Sequence, residues 1–301
     1  MEDKRVADQR LLEDVGAMSY RALMMAKGMV KPGARLLDVA SGVEKFLKDN
    51  GYGTAFPLNL SINNQAAHYT PSVDDEAVFG DKDVVKVDFG AEKGGILGDC
   101  AVTVDLSGNN QALVEAAEDA LGNAISVVKA GAMVKNIGKE IEKAIRARGF
   151  EPIRNLGGHS VEMHELHSHI FIPHFDNGDD TALGEGDVVA IEPFATNGKG
   201  LVTESDICDI YSFDIEVQTR SKESRLALEI IKKNYPSEPF AVRWLSGSVP
   251  SRFGLYAGVA ELSRAGALTA YPTLIEVGKG LVSQAEAEIV VEKDGCRILT
   301  K

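Results

Sequence analysis

A chain of 301 residues, 44% of them apolar and 26% charged, can bury a full core as one large domain or two. Its formal charge of −13 excludes the basic face that a DNA or RNA binder needs, and it disfavours anionic membrane surfaces. Cys100, Cys208 and Cys296 form no CxxC pair, no run approaches the roughly 18 apolar residues of a membrane span, and Met1-Glu2-Asp3-Lys4-Arg5 lacks a signal-peptide core, so a cytoplasmic protein with reduced thiols is expected.

In chain order, apolar side chains at helical spacing (Leu11, Val15, Met18, Ala22, Met25) predict a helix from about Asp3 to Met29, broken by Lys31-Pro32-Gly33. A second helix follows from about Arg35 to Asp49. Strands are expected around 57–63, 84–89 and 96–105. The same order then returns: helices at 111–129 and 134–147, and strands near 153–156, 170–173 and 188–191. From Thr219 to Thr269 the pattern turns helical (225–233 and 255–263), and strand character resumes only at 280–293. The expected division is a catalytic body of residues 1–218 and 270–301 with a helical subdomain, 219–269, inserted into its second half.

The halves echo each other. Asp83-Val84-Val85-Lys86-Val87-Asp88 returns as Asp187-Val188-Val189-Ala190-Ile191-Glu192, each run entered from a Gly/Asp turn and ending on a carboxylate. Val30–Tyr52 aligns without gaps on Val128–Phe150, matching at Val30, Lys31, Gly33, Ala34, Glu44, Lys45 and Gly51. A repeat this long and only twofold is not a solenoid. It points to two similar α+β halves facing each other, with the chemistry on their pseudo-symmetry axis.

Glu92-Lys93-Gly94-Gly95 reads as a hairpin turn. Centred between Lys93 and Gly94, it sets Asp88 directly across from Asp99, on a face with Ala101 and Thr103, while Val85, Val87 and Phe89 join Cys100, Val102 and Val104 on the apolar side. Opposed residues have Cβ atoms about 4.5–5.5 Å apart, so two carboxylates there need a shared proton or a cation between them. The plainer readings are solvation or pairing with a lysine such as Lys86. The second half favours a cation: Glu192 is the counterpart of Asp88, and Ser283–Ile289, with Glu286 and Glu288, is the natural partner of 188–192. Five of the six histidines fall between His159 and His174 on what reads as a Gly-rich loop. Oxygen-rich ligands with one or two imidazoles suit a pair of Mn, Fe, Co or Zn ions better than a structural zinc.

Val87-Asp88-Phe89-Gly90, Asp99-Cys100-Ala101, Gly157-Gly158-His159-Ser160, Ile191-Glu192-Pro193-Phe194 and Gln284-Ala285-Glu286 occur in the order of the metal-ligand motifs of the methionine aminopeptidases, over essentially the whole chain. The long stretch between Glu192 and Glu286 resembles the type II, archaeal-like members of these M24 metallopeptidases. The resemblance implies a pita-bread fold: two pseudo-symmetric halves with an antiparallel sheet flanked by helices, plus the inserted helical subdomain. It implies two divalent metal ions, with Asp88 on one, His159 and Glu192 on the other, and Asp99 and Glu286 bridging. His68 and His167 would contact the substrate and stabilise the oxyanion, Glu192 would move the proton, and Phe56, Leu166 and Tyr271 would line a methionine pocket.

The activity implied is removal of the N-terminal methionine before a small second residue, by water activated between the metals. Partners would be peptides and nascent protein N-termini, with the ribosome a possible setting, and the enzyme a monomer. Two departures stand out: Glu286-Ala287-Glu288 in place of Glu-His-Thr, and Ser168-His169 in place of a small Ala-Gly pair. The alternatives are an Xaa-Pro aminopeptidase of the same fold, or an inactive relative serving as a nucleic-acid or ribosome-associated binding protein.

Overall fold

The computed structural model describes residues 4–301, with side chains from Gln9 onward; the expected helix start at Asp3 and the residues before it lie outside them. Four helices and an eight-stranded sheet form the frame of the body among the described residues. The helices are α1 (Lys4–Met29), α2 (Leu36–Asp49), α3 (Gln111–Val127) and α4 (Val134–Ala147). The strands are β1 (Asn59–Ile62), β2 (Val84–Phe89), β3 (Cys100–Asp105), β4 (Gly157–Ser160), β5 (Phe171–Pro173), β6 (Val188–Ile191), β7 (Glu286–Glu292) and β8 (Gly295–Ile298). They form one antiparallel sheet in the order β5-β4-β6-β7-β3-β2-β1, with β8 beside β7.

Helix α4 shows why the helices form: Val134, Ile137, Ile141 and Ile145 recur at helical spacing and are fully buried, while Lys135, Lys139, Glu140, Glu142 and Lys143 fall between them. α3 and α4 pack Ala117, Ile137 and Ile141 against Val189, Ile191 and Ile289. α1 and α2 pack Val15, Val39 and Val43 against Val85, Val87 and Cys100. The repeat is real in three dimensions. α2 and α4 span equivalent residues, both are followed by a glycine at positive φ (Gly51, 79°; Gly149, 81°), and Asp83 and Asp187 each accept 2.7 Å bonds from the backbone of Gly80 and Gly184. The halves meet where β7 lies beside β3.

Three local expectations are corrected. The hairpin turns between Gly94 and Gly95 (φ 62° and 84°), a type I′ geometry that suits paired glycines, so Asp88 lies opposite Ala101 and not Asp99. The slip is two residues, so both faces keep their composition, and Asp99 becomes a diagonal neighbour of Asp88. The stretch expected as a strand at 153–156 is a turn, because the Asn155 side chain bonds both N and O of Val202 (2.9 and 2.8 Å). The Gly-rich segment read as a loop is strand β4. A Cβ at Gly158 would stand 2.2 Å from the Ala190 carbonyl oxygen, so only glycine lets this strand lie so close to β6.

Beyond β6 the chain forms α5 (Lys222–Asn234) and α6 (Arg252–Arg264), with a 3₁₀ turn (Val242–Leu245) between them. Both helices start three residues before the predicted positions, because Ser221 and Ser251 cap them through Ser224 N and Gly254 N (3.1 and 3.0 Å). These elements have their own core, including Ala227, Ile231, Phe240 and Leu262, and strands Phe240–Ala241 and Leu268–Ala270 flank Ile210–Phe213. Among the described residues no helix is long and apolar enough to cross a membrane.

Candidate metal centre

The sheet register places the acids. Ala101 on β3 lies between Asp88 on β2 and Glu286 on β7. Ala190 on β6 lies between His159 on β4 and Glu288 on β7. Strands run about 4.8 Å apart, so each alanine holds two functional groups roughly 10 Å apart across a methyl-lined gap. Large side chains there would fill the space that the carboxylates converge on.

Asp99, His159 and Glu286 each present a ligand atom, all within 4.8 Å of one another, and all three are buried. His159 Nε2 is 3.5 Å from Asp99 Oδ2 and 3.7 Å from Glu192 Oε1. Gln284 Nε2 donates towards Asp88 Oδ2, Glu192 Oε2 and Glu286 Oε2 at 3.2, 3.4 and 3.4 Å, so one amide ties the other acids together. All five residues expected as ligands therefore converge. Gln284 was missed as a participant, although it stands in a motif that sequence reading singles out.

Burial raises every one of these carboxyls, and repulsion adds to it at Asp99, Glu192 and Glu286. Asp88 is pushed up to about 7 by burial. Burial and then the charges of Asp88, Glu192 and Glu288 hold Asp99 well above the carboxylate range. Glu192 is raised by burial and Asp88, and Glu286 by burial and Asp99. The His159 imidazole is pushed down to about 3 by burial and by His167, leaving its ring neutral. Lys86 does not neutralise the acids: it is fully buried and donates to the Asn63 carbonyl at 2.8 Å. A neutral imidazole, clustered carboxylates and a buried Asp99 Oδ1 without a partner fit a divalent cation.

The departures sit beside this cluster. Glu288 is 1% exposed, is pushed up to about 8 by burial, and leaves Oε1 unpartnered. Ala287 pairs with Cys100 and Ile191. Ser168 and His169 both turn to Glu162, at 3.0 Å each.

A cavity of about 300 Å³ opens over the acids, within the range of small-ligand sites. Phe56, Leu166, Tyr271, His68 and His167 all line it, as expected. The His167 ring lies 4.3 Å from that of His159, and Tyr271 stands between the histidines, 5.9 Å from His68 and 6.4 Å from His167. Asn59, opposite Asp88, and Pro239 also line it and were not anticipated. The remaining histidines are elsewhere: His164 pairs with Glu238 at 2.8 Å, and His174 is buried against the Ile153 carbonyl at 2.8 Å.

An antiparallel sheet with two mirrored halves and buried carboxylates around an imidazole at their seam defines a metal-dependent hydrolase of the pita-bread class. Residues 10–219 match the family model described as metallopeptidase family M24, and the chain belongs to that family. It is 45% identical over 294 residues to a methionine aminopeptidase of Thermococcus onnurineus, covering 97% of this chain and 99% of that protein. Its fold superposes on a thermophilic Arx1 (TM-score 0.82, 17% identity, 96% of this chain and 89% of that one) and on the methionine aminopeptidase of Rickettsia prowazekii (TM-score 0.71, 20% identity, 98% and 97%).

Proposed function

We propose that the protein removes N-terminal methionine from peptides and nascent proteins with a small second residue, using two divalent ions. The single observation that carries this reading is the convergence of Asp88, Asp99, His159, Glu192 and Glu286 beneath a pocket lined by Phe56, Leu166 and Tyr271. The archaeal relative that shares nearly its whole length bears the same activity in its name.

Asp88 would hold one ion, His159 and Glu192 the other, and Asp99 and Glu286 would serve both. When bound, the metals supply activated water and a polarised substrate carbonyl. Phe56 and Leu166 bury the methionine side chain, and Tyr271 closes the slot beside them. Glu192, its side chain 15% exposed at the pocket floor, takes the proton from water and passes it to the leaving amine. His68 and His167 face the same space and donate to the oxyanion. Pro239, from the segment read as the inserted subdomain 219–269, adds to the wall. The reading carries with it a monomeric cytoplasmic enzyme that meets its substrates at or near the ribosome.

The test is release of free methionine from Met-Ala-Ser by metal-stripped protein titrated with Mn, Co, Fe and Zn. Cleavage of Xaa-Pro peptides in preference to Met-Ala-Ser would transfer the protein to the prolidase-like alternative. Metal uptake without any turnover would favour the binding-protein alternative.

A further inference from the structure

We infer that Arg243 is a positioning residue for His68, so that the helical insert sets the geometry of an oxyanion donor two residues from the segment it grips. The inference rests on the aminopeptidase reading for His68's role, while the clamp itself rests on geometry alone.

Arg243 lies in the 3₁₀ turn Val242–Leu245, and its side chain is 6% exposed. Its Nη1 donates to Thr70 Oγ1 at 2.7 Å and to the Pro71 carbonyl at 3.0 Å, while Nη2 donates to the Glu44 carboxylate on α2. Trp244 Nε1 donates to the other oxygen of Glu44 at 3.0 Å. Thr70 is buried and hands the contact on to the Leu58 carbonyl at 2.8 Å. One guanidinium therefore joins the insert, α2 and the segment 70–71.

His68 lies two residues before Thr70 and has φ 65°. A non-glycine residue there is strained and persists only where its surroundings over-determine it. The ring is weakly anchored: Nδ1 is buried without a direct partner, the Pro272 backbone lies near the imidazole, and Thr273 Oγ1 reaches the His68 carbonyl at 3.4 Å. Tyr271 meets the ring edge-on at 5.9 Å and 88°, a contact that permits sliding. On its C-terminal side the loop is tied first by the Tyr69 carbonyl, which accepts from Leu60 N at 2.7 Å, and then by Thr70 and Pro71, which Arg243 holds. A fork is needed, because its two arms serve acceptors on different segments at once, which an ammonium on a flexible stem does not reproduce.

The experiment is a double-mutant cycle with Arg243→Lys, His68→Ala and the pair, on metal-loaded protein with Met-Ala-Ser. Arg243→Lys should lower kcat about tenfold, with KM and bound metal within about twofold, as expected of a displaced donor. In the His68→Ala background the same change should cost less than about twofold. Equal costs in both backgrounds, or a rise in KM alone, would overturn the inference. Should Arg243→Lys fold poorly, Thr70→Val enters the cycle in its place with the same expectations. Imidazole NMR supplies a readout independent of turnover: the His68 resonances should move in Arg243→Lys while those of buried His174 stay. Unmoved His68 resonances sink the clamp. An inactive wild type with moved resonances sinks the aminopeptidase reading and leaves the clamp standing.

Discussion

The two halves share a frame and differ in what they hang on it. In the first, β2 and β3 are joined by a tight glycine hairpin, and the acids it presents are the short Asp88 and Asp99. In the second, β6 and β7 are separated by the whole helical segment, and the acids are the longer Glu192 and Glu286. The hairpin fixes its two acids through local register alone. The second pair depends on a long-range strand pairing that the chain closes only near its end. Symmetry thus supplies the scaffold, and asymmetry supplies the pocket wall and the clamp.

The comparison can be broken most severely at the late strand. Glu286→Ala should reduce methionine release to background and lower bound metal in elemental analysis, while the melting temperature of the metal-free protein holds or rises because a buried acid has gone. Retained turnover on Met-Ala-Ser would refute the ligand assignment. His68→Ala and His167→Ala test one donor from each half. Each should lower kcat about 100-fold with metal content intact, the size expected for one oxyanion donor.

Equivalent core positions sharpen the comparison from the stability side. Leu47→Ala on α2 and Ile145→Ala on α4, both fully buried, should each cost about 2–5 kcal/mol by denaturant unfolding. Values differing by more than about 2 kcal/mol would show that one half is softer. The second half also buries His174, whose imidazole is pushed down to about 4 by burial, from 6.5. Between those values the unfolded chain takes up a proton that the folded protein refuses, so stability falls as pH falls through the window. The loss is up to roughly 3 kcal/mol. His174→Gln should flatten melting temperature against pH over that range, and an unchanged slope would exclude the contribution. The smallest effect is at a cap: Ser251→Ala should cost about 1 kcal/mol by removing the bond to Gly254 N.

Much of the frame was legible because it is written in strong local signals. The spacing of Val134, Ile137, Ile141 and Ile145 gives α4 its limits, and the matching α2 exposes the duplication. The register of the first hairpin was misplaced by two residues because either Lys93-Gly94 or Gly94-Gly95 can close a turn, and only backbone torsion decides. Strand β4 was hidden because glycine signals loops, whereas here it serves close approach to β6. The ligand set came through its resemblance to a family, since no spacing joins Asp88 to Glu286. Gln284 and Arg243 are illegible as participants: apart from Glu286 beside Gln284, their partners are distant in sequence, and a lone amide or guanidinium carries no pattern.

The tip of the first hairpin has a reach beyond its own turn. The Gly95 carbonyl accepts from His164 N at 2.8 Å, and a Cβ at Gly95 would stand 2.4 Å from the His164 ring. His164 belongs to the segment that supplies Leu166 and His167 to the cavity, so the hairpin tip of one half and a wall of the cavity in the other share an anchor. A substitution at Gly95, where φ is 84°, would therefore be felt on both sides of the seam.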